Sequence, residues 1–225
     1  MIYMGIFSFR GYGPGRGVRK DERKLKRPFL LFYYLFFNFN KFIKTSMLFT
    51  VVCLPVITIG PAICGMTYIN YCIAEDKPSF FLSDFFEHFR KNFFKGLFAF
   101  IITLIPLFSY TVALFNAEAI PHFKNFLMPL LLVNLIMLMM SFYIYPLIVF
   151  YDIPFFAVFK NALLFALIKL PLNLLVAAVI LGLITVTFYY IPVIGMIVTP
   201  LFLISFLNYF STFSVWPTIK KYMEV

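Results

Sequence analysis

TSMLFTVVCLPVITIGPAICGMTYINYCIA, residues 45–74, runs for thirty residues without a charge and is interrupted by Leu54-Pro55-Val56-Ile57-Thr58-Ile59-Gly60-Pro61-Ala62. A helix crosses the ~30 Å hydrocarbon layer in about 20 residues, so thirty are too many for one upright span and too few for two complete ones. Pro55 removes a helical donor, and the residue before a proline avoids the α region, which makes Gly60-Pro61 a helix end. The stretch therefore reads as two half-length helices, about 45–59 and 62–74, meeting at a structural break formed by Pro55, Thr58, Gly60 and Pro61. Three forms of the break stay open: a tight extracytoplasmic turn, a broken helix lining a substrate or ion path, or a kink in one long span. Lipid satisfies no hydrogen bonds, so irregular backbone needs cover. This predicts a break inside the bundle or at a polar surface, not against acyl chains.

The composition agrees with a membrane setting. Of 225 residues, 63% are hydrophobic and 12% charged, and mean hydropathy is +0.95. A soluble domain cannot hide that much apolar surface. The 33 Phe and 14 Tyr suit membrane interfaces, although an AT-rich genome gives the same bias. Most of the net charge of +10 falls in the first 44 residues. In such a chain that is a topology signal before a nucleic-acid signal, and no nucleic-acid partner is expected. Cys53, Cys64 and Cys72 all lie in the quoted stretch, without Cys-x-x-Cys spacing or a nearby histidine. They read as small buried hydrophobes, and no metal or cofactor is expected.

Two regions follow. Residues 1–28 read as a disordered basic cytoplasmic tail: Gly11, Gly13, Pro14, Gly15 and Gly17 oppose regular structure, and eight Lys/Arg face only Asp21 and Glu22. The tail has neither the cleavage site of a signal peptide nor the Gly-Lys-Ser/Thr of a phosphate loop. Residues 29–225 read as a single membrane-embedded helical domain. Phe29 to Lys44 should form an interfacial helix. After the polar turn Glu75-Asp76-Lys77-Pro78, Ser83-Asp84 should cap a helix with Phe85, Phe86, Phe89 and Phe93 on one face. Asp84, Glu87, His88, Lys91 and Lys95 take the other face, which predicts an amphipathic helix at the membrane surface with a solvated His88. Four spans complete the chain: Gly96–Phe115, Phe126–Tyr151, Pro171–Tyr190 and Ile191–Phe213, the last two joined at Ile191-Pro192. A loop from Asn116 to Asn125 and a second amphipathic connector with Asp152, Lys160, Asn161 and Lys169 separate them.

Charge counting sets the topology. If 45–74 begins and ends on one side, the two faces carry 18 Lys/Arg against 1, Lys124; if it crosses once, the split is 11 against 8. The positive-inside rule selects the first. The expectation is an all-α polytopic bundle of about six transmembrane helices, the first pair short, with both termini cytoplasmic. An internal echo fits this layout: Phe86-x-x-Phe89-Arg90-Lys91-Asn92 with Phe156-x-x-Phe159-Lys160-Asn161, and Phe142-x-x-Tyr145-Pro146-x-Ile148 with Phe213-x-x-Trp216-Pro217-x-Ile219. It suggests a parallel repeat, with Phe37-Asn38-Phe39-Asn40-Lys41 opening a worn third unit.

Several stretches resemble the YesL-like family, a domain of unknown function. They are Gly13-Pro14-Gly15-Arg16-Gly17-Val18-Arg19-Lys20-Asp21-Glu22, Cys53-Leu54-Pro55-Val56-Ile57-Thr58-Ile59-Gly60-Pro61-Ala62, Phe89-Arg90-Lys91-Asn92-Phe93, Tyr145-Pro146, Lys160-Asn161-Ala162-Leu163 and Pro217-x-Ile219-Lys220-Lys221. The resemblance implies a cytoplasmic-membrane protein of Gram-positive bacteria whose gene accompanies carbohydrate ABC importers and polysaccharide-degrading enzymes. It carries over no ligand or catalytic residue.

Three function classes fit a chain of this kind to different degrees. The first is a non-enzymatic accessory of a carbohydrate ABC import system, with the permease subunits and the lipid bilayer as partners. Phe85, Phe86, Phe89, Arg90 and Lys91 are then the candidate docking face, and plain lipid anchoring is the alternative role for the same side chains. The second is an autonomous sugar transporter or channel. Ion paths usually place charges inside spans, and these spans hold none. Their polar residues Asn134, Asn173 and Asn208 read as interhelical hydrogen-bond partners. The third, a membrane enzyme, needs clustered acids, histidines or an activated nucleophile. Glu118 and His122, with Pro121 between, and Asp84 and His88 are the only acid–histidine pairs at helical spacing. No enzyme is expected, and self-association is left open.

Overall fold

The computed structural model describes residues 27–117 and 121–223, and within these every regular element is a helix. The tail assigned to 1–28 lies outside the described residues, apart from the backbone of Arg27 and Pro28. In order, the helices are α1 (Arg27–Phe37), α2 (Phe39–Val52), α3 (Ile59–Ala74), α4 (Phe81–Lys91), α5 (Phe93–Phe115), α6 (Pro121–Phe150), α7 (Phe155–Ile168), α8 (Leu170–Thr185), α9 (Pro192–Val198) and α10 (Ile204–Met223). Two π-helical turns, Val186–Tyr190 and Thr199–Leu203, extend α8 and join α9 to α10. Five stretches are long and apolar enough to cross a membrane: Val56–Ala74, Phe93–Phe115, Lys124–Phe150, Leu170–Tyr190 and Pro192–Met223. The sixth expected helix, α2, has 14 residues and at about 1.5 Å per residue reaches only about 21 Å.

Among the described residues one element order occurs three times: a lead-in helix, a one-residue hinge, a helix, a turn and a second helical segment. The hinges are Asn38, Asn92 and Lys169. Asn38 and Asn92 share one backbone conformation, φ −105° and ψ 19°. In both, the side-chain amide donates to the carbonyl four residues back, Tyr34 at 3.3 Å and His88 at 3.1 Å. An Asn that bonds locally competes with the helix ladder and allows a bend without an orphaned carbonyl. The interfacial helix expected over 29–44 is thus two helices, and the short helix after it starts at Phe39.

The break in the quoted stretch sits earlier than expected. α2 stops at Val52, Cys53 to Pro55 turn, and a 3₁₀ turn over Val56–Thr58 leads directly into α3. Gly60 and Pro61 fall in the first turn of α3, where the missing proline N–H has no intrahelical partner to lose. Leu54, Val56 and Ile57 are exposed, Leu54 at 80%, so the break is not inside the bundle. What makes this tolerable is Thr58, whose hydroxyl donates to the carbonyls of Val52 and Pro55. With those acceptors met internally, apolar side chains can face outward.

α3 is the helix the others are packed around. In the stretch Val56–Ala74 that contains it, 67% of the most apolar 18 residues are buried, against 11–28% for the other four long stretches. It also lies at one end of the α5–α6 pair along much of its length. Gly60 meets Gly96 in the first turn of α5, and Tyr68 and Tyr71 stack with Phe150, the last residue of α6. That same end is marked by the ion pair of Lys95 with Asp152, 3.1 Å. α2 packs on the far side of α3, with Phe42 against Tyr209 of α10 at 4.9 Å and Ser46 donating to Thr199 O at 3.4 Å.

Other boundaries shift by a turn. α6 begins at Pro121, so the loop expected over 116–125 is shorter; Glu118 and the His122 side chain lie outside the described residues. α4 begins at Phe81, and Asp84 caps it from inside by accepting from Phe80 N–H at 2.8 Å. The second connector, α7, is apolar on both sides rather than amphipathic. Val158, Ala162, Phe165 and Ala166 are buried, while Phe156, Leu163, Leu164 and Leu167 are exposed. Its polar residues, Lys160 and Asn161, are too few to make a wet face on a 14-residue helix.

Candidate functional site

The face of α4 is the first candidate, and the structure divides it. Phe85 is 0% exposed and so unavailable for docking: its carbonyl and ring lie over Gly65 of α3, where an added Cβ would meet the Phe85 oxygen at 2.7 Å. The missing side chain on Gly65 is what lets α4 approach this closely. Phe86 and Phe89 are half-buried, and Arg90 and Lys91 are exposed. Leu82, Ser83, Phe86, Glu87 and Arg90 line an open depression of about 540 Å³ on α4. Equal 3.6-residue spacing put all the Phe residues on one side in sequence, but only contact with Gly65 separates the internal ring from the surface ones.

His88 is not a solvated residue. Its ring stacks on Tyr68 of α3 with centroids 3.8 Å apart and planes at 19°, and it is half-buried. Burial holds its pKa below the usual value; Lys91 acts in the same direction, while Glu87 and Asp84 oppose. The Tyr68 ring continues to Phe150 and, through Tyr71, to Trp216, joining α3, α4, α6 and α10 in one aromatic group.

The polar residues inside the bundle are the second candidate. Asn208 is half-buried and bonds α10 to α3: its amide donates to Thr67 Oγ1 at 3.1 Å and its carbonyl accepts from Asn70 Nδ2 at 2.8 Å. Asn70, fully buried, also donates to Ser205 O at 3.1 Å and accepts from Ser205 Oγ at 3.1 Å. Asn173, fully buried at the start of α8, accepts from the Tyr143 hydroxyl of α6 at 2.8 Å and donates to the α7 carbonyls Ala166 O at 2.9 Å and Phe165 O at 3.2 Å. Asn134 donates from α6 to Pro106 O of α5 at 3.0 Å. Each joins elements, and no two of the three Asn residues singled out by sequence share a partner. Asn70, Thr67 and Ser205 were missed. Asn70 stood in the quoted apolar stretch, and the test that selected the other three amides would have selected it.

Two further cavities carry several polar side chains. One of about 490 Å³ opens between α5 and α6, with Thr103, Tyr110, Asn134, Ser141 and Tyr145 as its polar lining among Phe, Leu, Ile and Met side chains. Another of about 220 Å³ sits where α5 begins and α6 ends, lined by Lys91, Asn92, Lys95, Phe150, Tyr151 and Asp152. The three cysteines are free thiols; Cys64 and Cys72 are buried and Cys53 is half-buried. Among the described residues no three of His, Cys, Asp and Glu come together as a metal site would need.

None of the curated proteins and none of the solved structures compared with the chain matches it. Residues 43–116, from α2 to the end of α5, match the model of a family described as protein of unknown function, DUF624. Over that stretch, which contains the α2–α3 turn, the Gly60–Gly96 crossing and α4, the chain is similar to this family of uncharacterised domains.

Proposed function

We propose that this chain is a non-enzymatic membrane partner of a bacterial carbohydrate ABC import system. It would sit in the cytoplasmic membrane and engage the permease subunits from the cytoplasmic side. The observation that carries the proposal is the α4 depression, where Leu82 and Phe86 are set between Glu87 and Arg90. An apolar centre with a charged rim is the composition of a docking patch rather than of a lipid-facing surface. The YesL-like resemblance supplies the class of partner. Affinity purification of the tagged protein from native membranes in mild detergent tests it. Wild type should bring down sugar permease subunits in near-stoichiometric yield, and Phe86→Asp with Arg90→Glu should lose them while the protein itself is recovered. Recovery of the wild type alone, as a homo-oligomer, would overturn the reading. It would favour the second one, an autonomous sugar transporter, for which the α5–α6 cavity with Tyr110, Asn134 and Tyr145 is the path to test by flux into liposomes.

The same proposal fixes a topology. The α2–α3 hairpin is re-entrant, entering and leaving on the Lys/Arg-rich side. α5, α6, α8 and the α9–α10 pair cross, and both termini are cytoplasmic. The packing of Gly60 and Tyr71 against the same end of α5–α6 supports this, as does the charge split of 18 to 1. In cells carrying single cysteines, a membrane-impermeant maleimide is expected to label Lys124→Cys and not Val56→Cys. Equal labelling of both would place the hairpin tip outside and give six helices.

A further inference from the structure

The 220 Å³ cavity at the junction of α4, α5 and α6 shares only Lys91 with the candidate docking face, and its chemistry is distinct. Lys91 and Lys95 stand one turn apart on either side of Asn92, whose own side chain is buried and held by His88 O at 3.1 Å. The α4–α5 hinge at Asn92 therefore sets where the two lysines leave the backbone. Lys91 makes no ion pair among the described residues. Lys95 reaches Asp152 at 3.1 Å, but Asp152 is fully exposed, so that pair is screened and easily exchanged. The cavity is thus positive overall and sits at the ends of apolar helices. Large exposed apolar side chains follow its lining residues in the chain: Phe94 next to Lys95, Phe98 a turn further along α5 and packed edge-on against Phe155, and Phe156, which is 86% exposed. Lysines at such a position extend their stems along apolar surface and hold their charge at the interface.

We propose that this cavity binds the phosphate of an anionic phospholipid, with Lys91 and Lys95 on the phosphate and the acyl chains along Phe94, Phe98 and Phe156. Basic pockets between helix ends at the membrane surface are suited to this class of headgroup. The aromatic rim is the reason to name a lipid and not a free anion, which would have no use for it. Asp152 is the competitor: it occupies Lys95 when no phosphate is bound.

Native mass spectrometry of the purified full chain in mild detergent, with phosphatidylglycerol or phosphatidylcholine added, tests the proposal. Wild type should retain phosphatidylglycerol about tenfold more than phosphatidylcholine. Lys91→Gln/Lys95→Gln should remove that preference, and Lys160→Gln should keep it. Asp152→Asn should strengthen retention several-fold, an increase that misfolding does not produce. Equal retention by wild type and the double variant overturns the site, as does equal loss in Lys160→Gln, which would show only overall charge. Displacement of bound phosphatidylglycerol by equimolar inorganic phosphate would overturn the lipid as ligand, because the chains would then contribute nothing.

Discussion

Gly60→Ala is expected to cost about 3 kcal/mol or more and to leave little folded protein in the membrane. A Cβ at Gly60 would stand 2.6 Å from the Gly96 carbonyl carbon and 2.9 Å from Leu97 N. Those are backbone atoms of another helix, so no rotamer change relieves the clash; α3 and α5 must separate. The reciprocal change is milder. At Gly96 an added Cβ meets Cys64 Sγ and the Gly60 carbonyl group at 3.0 Å, one of them a side chain that can rotate. Gly96→Ala should cost about 1–2 kcal/mol. Gly182→Ala meets nothing within 4 Å and sits inside α8. It should be neutral or stabilise by up to about 1 kcal/mol, the usual gain of Ala over Gly in a helix. Thermal unfolding of the three variants in one detergent gives the ranking. Equal midpoints for Gly60→Ala and Gly182→Ala would show that α3 does not cross α5 this closely.

How much of this was legible in sequence depends on the physical range of each signal. Hydropathy and charge act over whole segments, and they placed α5, α8 and the Tyr190–Pro192 turn within a few residues. The helix break was misplaced because proline has two local meanings. Pro61 looks like a terminator, but three residues into α3 it costs nothing, and the actual stop at Val52 is set by Pro55 and by a Thr58 hydroxyl reaching back six residues. α7 reads as amphipathic from Asp152, Pro154, Lys160, Asn161 and Lys169, but within the helix itself only Lys160 and Asn161 are polar. The direction of Phe85 and the stacking of His88 were not legible. Both are decided by Gly65 and Tyr68 on a helix whose position relative to α4 no local pattern states. Of the bundle's polar residues, Asn134, Asn173 and Asn208 were legible, whereas Asn70 and the hydroxyl partners Thr67 and Ser205 were not, since Ser and Thr carry little signal in an apolar run.

Asn70→Leu is the second change with a large expected effect, about 2 kcal/mol of destabilisation. It leaves Ser205 Oγ, the Ser205 carbonyl and Asn208 Oδ1 without the partner they now have, all in a fully or partly buried setting. Each fully orphaned buried polar group costs about 1–3 kcal/mol, while direct interhelical bonds within membranes average nearer 0.6 kcal/mol. The distinction yields a sharper test than the single variant. If the penalty comes from orphaned partners, Asn70→Leu/Asn208→Leu should cost clearly less than the two single changes added together, because the second substitution removes an acceptor that the first left unmet. Strict additivity would mean that the four residues act separately and that Asn70 merely fills space. The location of the damage is also fixed by the packing. This cluster ties α3 to α10, whereas α3 is held to α5 by the glycine crossing and α5 to α6 by Asn134. Loosening it should therefore free the α2–α3 hairpin while the α5–α6 pair stays intact. Cys72, 2% exposed on α3, should become reactive towards a small maleimide, while a cysteine placed at Ala99, which is buried on α5, should stay protected. If both positions opened together, the hairpin would not be a separate unit of the fold, and the re-entrant topology would lose its mechanical basis.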